Sequence, residues 1–211
     1  MRQQLEAGAV EATSDDDLDL VERCKAGDLE AFDQLVLKYQ DRVYSYACRM
    51  LRNPETAREV TQDIFLRAYR YIKSFRGDSK FGTWLFTVAS STCKNALAYH
   101  GLRARHAANL YVENDEGQEL SLMEKIPDNS HAPEQGAERA ELQRVVRNTI
   151  AELPEHYRQV VTLKDINGFS YEEISKIVGC RTGTVKSRLA RARLMLRENL
   201  TQAGIMGPEG M

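Results

Sequence analysis

Residues 170–197 read SYEEISKIVGCRTGTVKSRLARARLMLR. Ser170 followed three residues later by Glu173 is the pairing in which a hydroxyl and a carboxylate satisfy two orphan amides at a helix start. Ile174, Ile177 and Val178 give that helix a buried face, and Gly179 stands where a left-handed cap ends it. Beyond the short turn, Val185, Leu189, Ala192 and Leu196 recur at intervals of four, three and four. At about 100° per residue they fall within about 60° of arc and form one buried stripe. Lys186, Ser187, Ala190, Arg191 and Leu194 lie on the opposite side, with Arg188 and Arg193 on the flanks. A short capped helix, a tight turn and a second helix with an exposed basic face make a helix-turn-helix.

The charge of this stretch supports that reading. Residues 176–197 hold seven Lys and Arg and no Asp or Glu, in a chain of net charge -2. A merely solvated helix would mix signs for pairing one turn apart. A membrane-surface helix would show aromatic anchors and would not bury one side in a domain. In a helix-turn-helix the start of the second helix enters the major groove, where Arg and Lys donate to guanine and Ser bonds either way. Arg181, Thr184, Lys186, Ser187, Arg188, Ala190, Arg191 and Arg193 are the candidate DNA-facing residues, with Arg197 and Arg193 placed to meet phosphate.

The rest of the chain is charge-segregated in the same way. Residues 66–106 carry eight basic residues and one acid, Asp78, whereas 109–141 carry nine acids and two bases. The whole-chain balance hides this basic, acidic, basic alternation. At 211 residues, 42% hydrophobic and 28% charged, the chain is expected to form one or two soluble domains with real cores. Its apolar runs are too short to span a bilayer, and its acidic N-terminus is unlike a secretory signal, so a cytoplasmic protein is expected. Cys24, Cys48, Cys93 and Cys180 are scattered without metal-ligand spacing, which argues for reduced thiols and no metal. No phosphate-binding glycine pattern, metalloprotease motif or nucleophile elbow occurs. His100, His106, His131 and His156 are isolated. No catalysis, cofactor or small-molecule substrate is therefore expected.

Nearly every periodic segment reads as helix. Leu18, Val21 and Cys24, then Ala31, Phe32, Leu35, Val36 and Tyr39, follow helical spacing. Gly27 closes the first of these helices and Asp28 caps the second, while Asn53-Pro54 opens a third running to about Lys73. A loop, FRGDSKFG, precedes a helix starting near Thr83. Periodicity returns with Leu142, Val145, Val146, Thr149, Ile150 and Leu153, and Pro154 restarts it for Tyr157, Val160, Val161 and Leu163. The expected architecture is all-α: an acidic N-terminal tail over 1–17, a helical domain over 18–106, an acidic linker over 107–139, a second helical domain over 140–203 and a short tail over 204–211.

Two long motifs carry a family resemblance. Residues 20–89, around EVTQDIFLRAY at 59–69, resemble region 2 of bacterial sigma factors of the extracytoplasmic-function type. Residues 153–193, ending in the helix-turn-helix, resemble region 4 of the same proteins, most nearly their sigma-E-like branch. The resemblance implies a protein that binds core RNA polymerase and directs initiation at promoters with -35 and -10 elements. It implies that Glu59, Gln62, Asp63, Phe65 and Leu66 dock on the beta-prime clamp helices. The second domain would meet the beta flap, and an anti-sigma factor, often membrane-anchored in this family, would regulate the chain.

The resemblance also makes the loop and the following helix the reader of the -10 element, melted on its non-template strand. Lys73, Arg76 and Lys80 supply cations for the backbone, and Phe75, Phe81 and Trp84 supply aromatic groups for an unstacked base. Phe81 and Trp84 suit a core position as well as a stacking platform. Thr92, Lys94 and Asn95 match the segment at the element's upstream edge. Ser91 stands where many relatives carry Asn, Arg181 replaces a common proline and Ala190 replaces a larger residue, so base preference should differ in detail. The acidic linker would thread the cation-lined channel of the polymerase. Two other classes fit part of the sequence: a free-standing helix-turn-helix regulator, which needs a dimer interface or ligand pocket, and a redox sensor working through the four cysteines.

Overall fold

The computed structural model describes residues 16–110 and 135–205, and every regular element among them is helical. Helix α1 spans Asp16–Lys25 and α2 spans Leu29–Leu51, separated by a turn at Gly27, whose φ of 100° suits glycine. Asp28 caps α2 through the Ala31 amide at 3.2 Å and holds Arg23 at 2.7 Å. Asn53 caps α3, Pro54–Tyr71, from the Thr56 amide at 3.0 Å, and Pro54 sits in the first turn, where a missing N–H costs nothing. A 3-10 turn, Ile72–Ser74, ends this helix before the loop that leads to α4, Phe81–Leu110.

The first domain packs α2, α3 and α4 around Leu35, Tyr39, Tyr46, Ile64, Phe81 and Phe86. The rings of Tyr39 and Phe81 lie 5.6 Å apart and those of Tyr46 and Phe86 5.5 Å apart, both edge-on. Gly82 lets α4 approach Tyr39: a Cβ there would stand 3.1 Å from the ring. Asp17, only 2% exposed, accepts from the Tyr39 hydroxyl at 2.6 Å and from Lys38 at 2.7 Å, which ties α1 to the bundle.

In the second domain α5 spans Gln135–Glu152 and α6 spans Glu155–Val161. A π-helical turn, Thr162–Ile166, leads to α7, Tyr171–Val178, and α8, Thr182–Gln202. The capping box is formed: the Glu173 amide donates to the Ser170 hydroxyl at 3.1 Å and the Ser170 amide donates to the Glu173 carboxylate at 2.8 Å. Gly179 ends α7 at φ 72°, in the left-handed region. Val160, Leu163, Ile174, Val185, Leu189 and Ala192 are buried together.

Several sequence expectations move. The first helix starts at Asp16, inside the stretch read as tail, because the buried Asp17 is held by the buried Tyr39 and by Lys38. The linker read over 107–139 is shorter at both ends, since α4 continues to Leu110 and α5 begins at Gln135. Alanines at 104, 107 and 108 and good helix formers at 137–141 sustain helix without apolar periodicity. The remaining linker and the two tails lie outside the described residues. Leu18 and Leu142, read as facing the core, are 47% and 46% exposed at helix margins.

Candidate nucleic-acid and polymerase interface

The recognition helix candidate α8 presents its cations outward. Arg181, Lys186, Ser187, Ala190, Arg191 and Arg193 are exposed, Thr184 and Arg188 are partly buried, and Val185, Leu189 and Ala192 form the buried stripe. Lys186 lies 5.6 Å from the Tyr171 ring centroid, which Lys164 also faces at 5.1 Å. Arg181, Arg188 and Arg191 make no ion pair among the described residues, whereas Arg193 is drawn to Asp165 of the π-helical turn, its Nε at 3.2 Å. Arg193 therefore leaves the set of free phosphate-facing cations in this conformation. Asp165 is far away in sequence, and a helical wheel of α8 alone gives no sign of it.

The α3 face is mixed polar and apolar. Ala57, Val60, Ile64, Ala68 and Ile72 are buried, leaving Glu59, Gln62 and Leu66 exposed, with Leu66 at 57%. Asp63 is half-exposed and paired with Arg67 at 2.8 Å, and Phe65 packs partly against the core. Tyr69, one turn beyond Leu66 and 42% exposed, extends the same face with its ring 5.0 Å from Phe32. The sequence reading missed Tyr69, although its i+3 spacing from Leu66 was the available signal.

In the loop, Lys73 is exposed, Arg76 pairs with Asp78 at 3.3 Å and Lys80 with Glu173 at 3.7 Å. Phe75 and Phe81 are 4% and 2% exposed and pack on Trp84 at 5.4 and 5.6 Å, so they build the core beneath the loop and present no face for a base. Trp84 is partly exposed. On α4, Ser91, Lys94 and Asn95 are exposed, while Thr92 is buried with its hydroxyl donating to the Val88 carbonyl at 2.8 Å. Thr87, exposed one turn before Ser91, joins that face; a period of four from Ser91 would have found it.

Three of the four cysteines are buried, and burial raises the thiol pKa of Cys24 and Cys48 and pushes that of Cys93 up to about 12. Inert, protonated thiols are poor redox sensors. Among the described residues no metal-binding cluster occurs, and no helix is long and apolar enough to cross a membrane.

Residues 35–103 match the family described as Sigma-70 region 2, and residues 143–196 match Sigma-70, region 4. The RNA polymerase sigma-H factor of Pseudomonas aeruginosa is 40% identical over 86% of this chain and 92% of its own length. The ECF RNA polymerase sigma-E factor of Escherichia coli is 40% identical over 82% of this chain and 88% of its own length. Among solved structures, the sigma factor RpoE of Bartonella quintana, in complex with the anti-sigma factor NepR, has the same fold. Its TM-score is 0.63 at 24% identity, over 81% of this chain and 96% of that one. With both domains matched in order and relatives of this similarity along most of their length, the chain belongs to the sigma-70 family, as an RNA polymerase sigma factor of the ECF type that directs transcription initiation.

Proposed function

We propose that the chain divides its work among three faces. Lys186, Ser187, Ala190 and Arg191 of α8 read the -35 element in the major groove, with Arg181, Thr184 and Arg188 at the edges of the contact. Lys73, Arg76, Lys80 and Trp84, with Ser91, Lys94 and Asn95, bind the melted -10 element, and Phe75, Phe81 and Thr92 hold that surface from below. Glu59, Gln62, Asp63, Phe65 and Leu66, extended by Tyr69, dock on the beta-prime clamp helices of core polymerase, and the second domain meets the beta flap. The chain acts in the bacterial cytoplasm. An anti-sigma factor controls it, by analogy with the Bartonella quintana complex.

The observation that carries this reading is the outward row of unneutralised cations on α8, opposite its buried stripe. Such a face costs stability unless an anion covers it, and duplex phosphate with guanine edges does so. Run-off transcription with purified chain and bacterial core polymerase on genomic fragments tests the assignment. Defined starts sharing spaced -35 and -10 motifs, absent with core alone, are expected. Starts that do not change when the -35 motif is scrambled would show that α8 does not read that element. For the docking face, Asp63→Arg should abolish co-elution with core polymerase while leaving the circular dichroism spectrum unchanged.

A further inference from the structure

A melted strand is held by cations along its backbone and by exposed rings on which its unpaired bases stack. The loop withholds two of its rings: Phe75 and Phe81 are buried, and Trp84 spends part of its surface packing on both. The end of α3 supplies another. Tyr71 is 59% exposed, and its side chain has no hydrogen-bond, ion-pair or ring partner among the described residues. Other exposed tyrosines are placed differently. Tyr69 packs on Phe32 at 5.0 Å and belongs to the α3 docking face. Tyr99 lies about 22 Å beyond Trp84 along α4, at 1.5 Å per residue.

We propose that Tyr71 is a stacking platform for one unpaired base of the melted -10 strand, a role that rests on residues 73–95 meeting that element.

The backbone beneath the ring is fixed. α3 ends at Tyr71, whose φ of -101° and ψ of 0° lead into the 3-10 turn. Ile72, the next residue, is buried and anchors that turn in the core. The Tyr71 carbonyl accepts from the Ser74 hydroxyl at 2.6 Å, and the Ile72 carbonyl accepts from the Phe75 amide at 3.1 Å. Phe75 in turn packs 5.4 Å from Trp84. Tyr71 and Trp84 therefore stand at the same end of the first domain, joined through one buried ring, and a strand crossing that end meets both.

The charges at this end suit a nucleic-acid backbone. Arg70 and Lys73, on either side of Tyr71 in sequence, are exposed and make no ion pair among the described residues, unlike Arg76 and Lys80. A single exposed ring is ordinary on a protein surface. A ring on an anchored turn, between unneutralised cations, is the arrangement on which single-stranded nucleic acid stacks. Every base has a π-face, so Tyr71 adds affinity without choosing a base.

The test uses holoenzyme assembled with bacterial core polymerase, and fluorescence anisotropy with a single-stranded oligonucleotide carrying the mapped non-template -10 sequence. Tyr71→Ala should weaken binding about 5- to 150-fold, the loss of one base–aromatic stack. Tyr71→Phe keeps the ring and should bind like the wild type, whereas Tyr71→Leu, apolar without a π-face, should resemble Tyr71→Ala. Core polymerase affinity and the melting temperature of the chain should stay unchanged in all three, since the side chain is exposed. An abasic site moved along the oligonucleotide finds the stacked base. At one position it should cost the wild type what Tyr71→Ala costs, and should cost Tyr71→Ala nothing more.

Wild-type binding by Tyr71→Ala overturns the proposal. So does a loss of core polymerase affinity in that variant, which would make Tyr71 part of the docking face. A double variant, Lys73→Ala with Lys80→Ala, separates the stack from the assignment beneath it. If the double variant binds the oligonucleotide weakly while Tyr71→Ala binds it normally, the stack falls and the -10 reader stands. Normal binding by both removes the two together.

Discussion

Two cationic surfaces of this molecule differ in how they are neutralised. On α8, Arg181, Arg188 and Arg191 meet no carboxylate among the described residues, whereas the loop cations Arg76 and Lys80 are paired with Asp78 and Glu173. Free cations repel one another and await an anion, and paired ones have already lost part of their attraction for phosphate. If the two surfaces read the two promoter elements as proposed, the difference teaches that those elements are met by unlike chemistry. On the proposed assignment, the -35 reader is a helix with its charges unpaired, while the -10 reader meets its strand with Arg76 and Lys80 already held by acids.

The largest effect expected from that contrast is on α8. Arg191→Ala should cost about 1–3 kcal/mol of discrimination if the guanidinium makes a bidentate contact to a guanine. Competition transcription between the mapped promoter and its single-base -35 variants measures this directly. A preference lost at one base pair is the predicted pattern, whereas an equal loss on every sequence would demote Arg191 to a phosphate contact.

How far the sequence led to these surfaces depends on the range over which each is built. The helix-turn-helix was legible because its determinants are local: Ser170 to Glu173 is three residues, Gly179 closes the same helix, and the α8 stripe repeats within one element. The buried face of α3 was legible for the same reason. Phe75 reads in sequence as a group for a base and Phe81 as either that or core, and the fold buries both, since an aromatic beside a basic loop looks the same in sequence whether it stacks on a nucleotide or on Trp84. The contact between the two domains was invisible. Arg42, Gln159 and Phe169 belong to different helices and turns, and no period or motif links them until α6 and α7 are laid on α2 and α4.

A smaller effect is expected where the two surfaces meet, at Glu173. Ser170→Ala removes one half of the capping box and should lower stability by about 1 kcal/mol, read from thermal or urea unfolding. Glu173 itself adds a pH dependence. Burial opposes its charge, but the Ser170 amide and hydroxyl, Lys80 and Thr83 outweigh it and hold its pKa below the ordinary glutamate value. A depressed pKa means that its stabilisation is full above the ordinary value, about 4.3, and is lost as the pH falls through the lower folded one. The wild type should therefore lose stability more steeply than Glu173→Gln as the pH drops below about 4.3. Parallel acid-unfolding curves would show that the carboxylate charge contributes nothing there.

The smallest predicted change makes α8 more uniform. Arg193 is the one α8 cation drawn to an acid among the described residues, and Asp165, which draws it, sits on the π-helical turn rather than on the helix itself. Asp165→Asn keeps the shape of the turn and removes the charge, so the guanidinium becomes available to a phosphate. An exposed pair of this kind contributes little to folding, so the melting temperature should hardly move. Binding should respond instead: one added phosphate contact makes the slope of log affinity against log salt steeper by about 0.9. The gain should appear on promoter and random duplex alike, because a phosphate carries no sequence information, so affinity rises while selectivity does not. Wild-type Asp165 would then be a restraint on non-specific binding, keeping one cation of the basic face out of the count. An unchanged salt slope in Asp165→Asn would mean that Arg193 points away from DNA even when free, and the contrast between ready and withheld charge would stop at the loop.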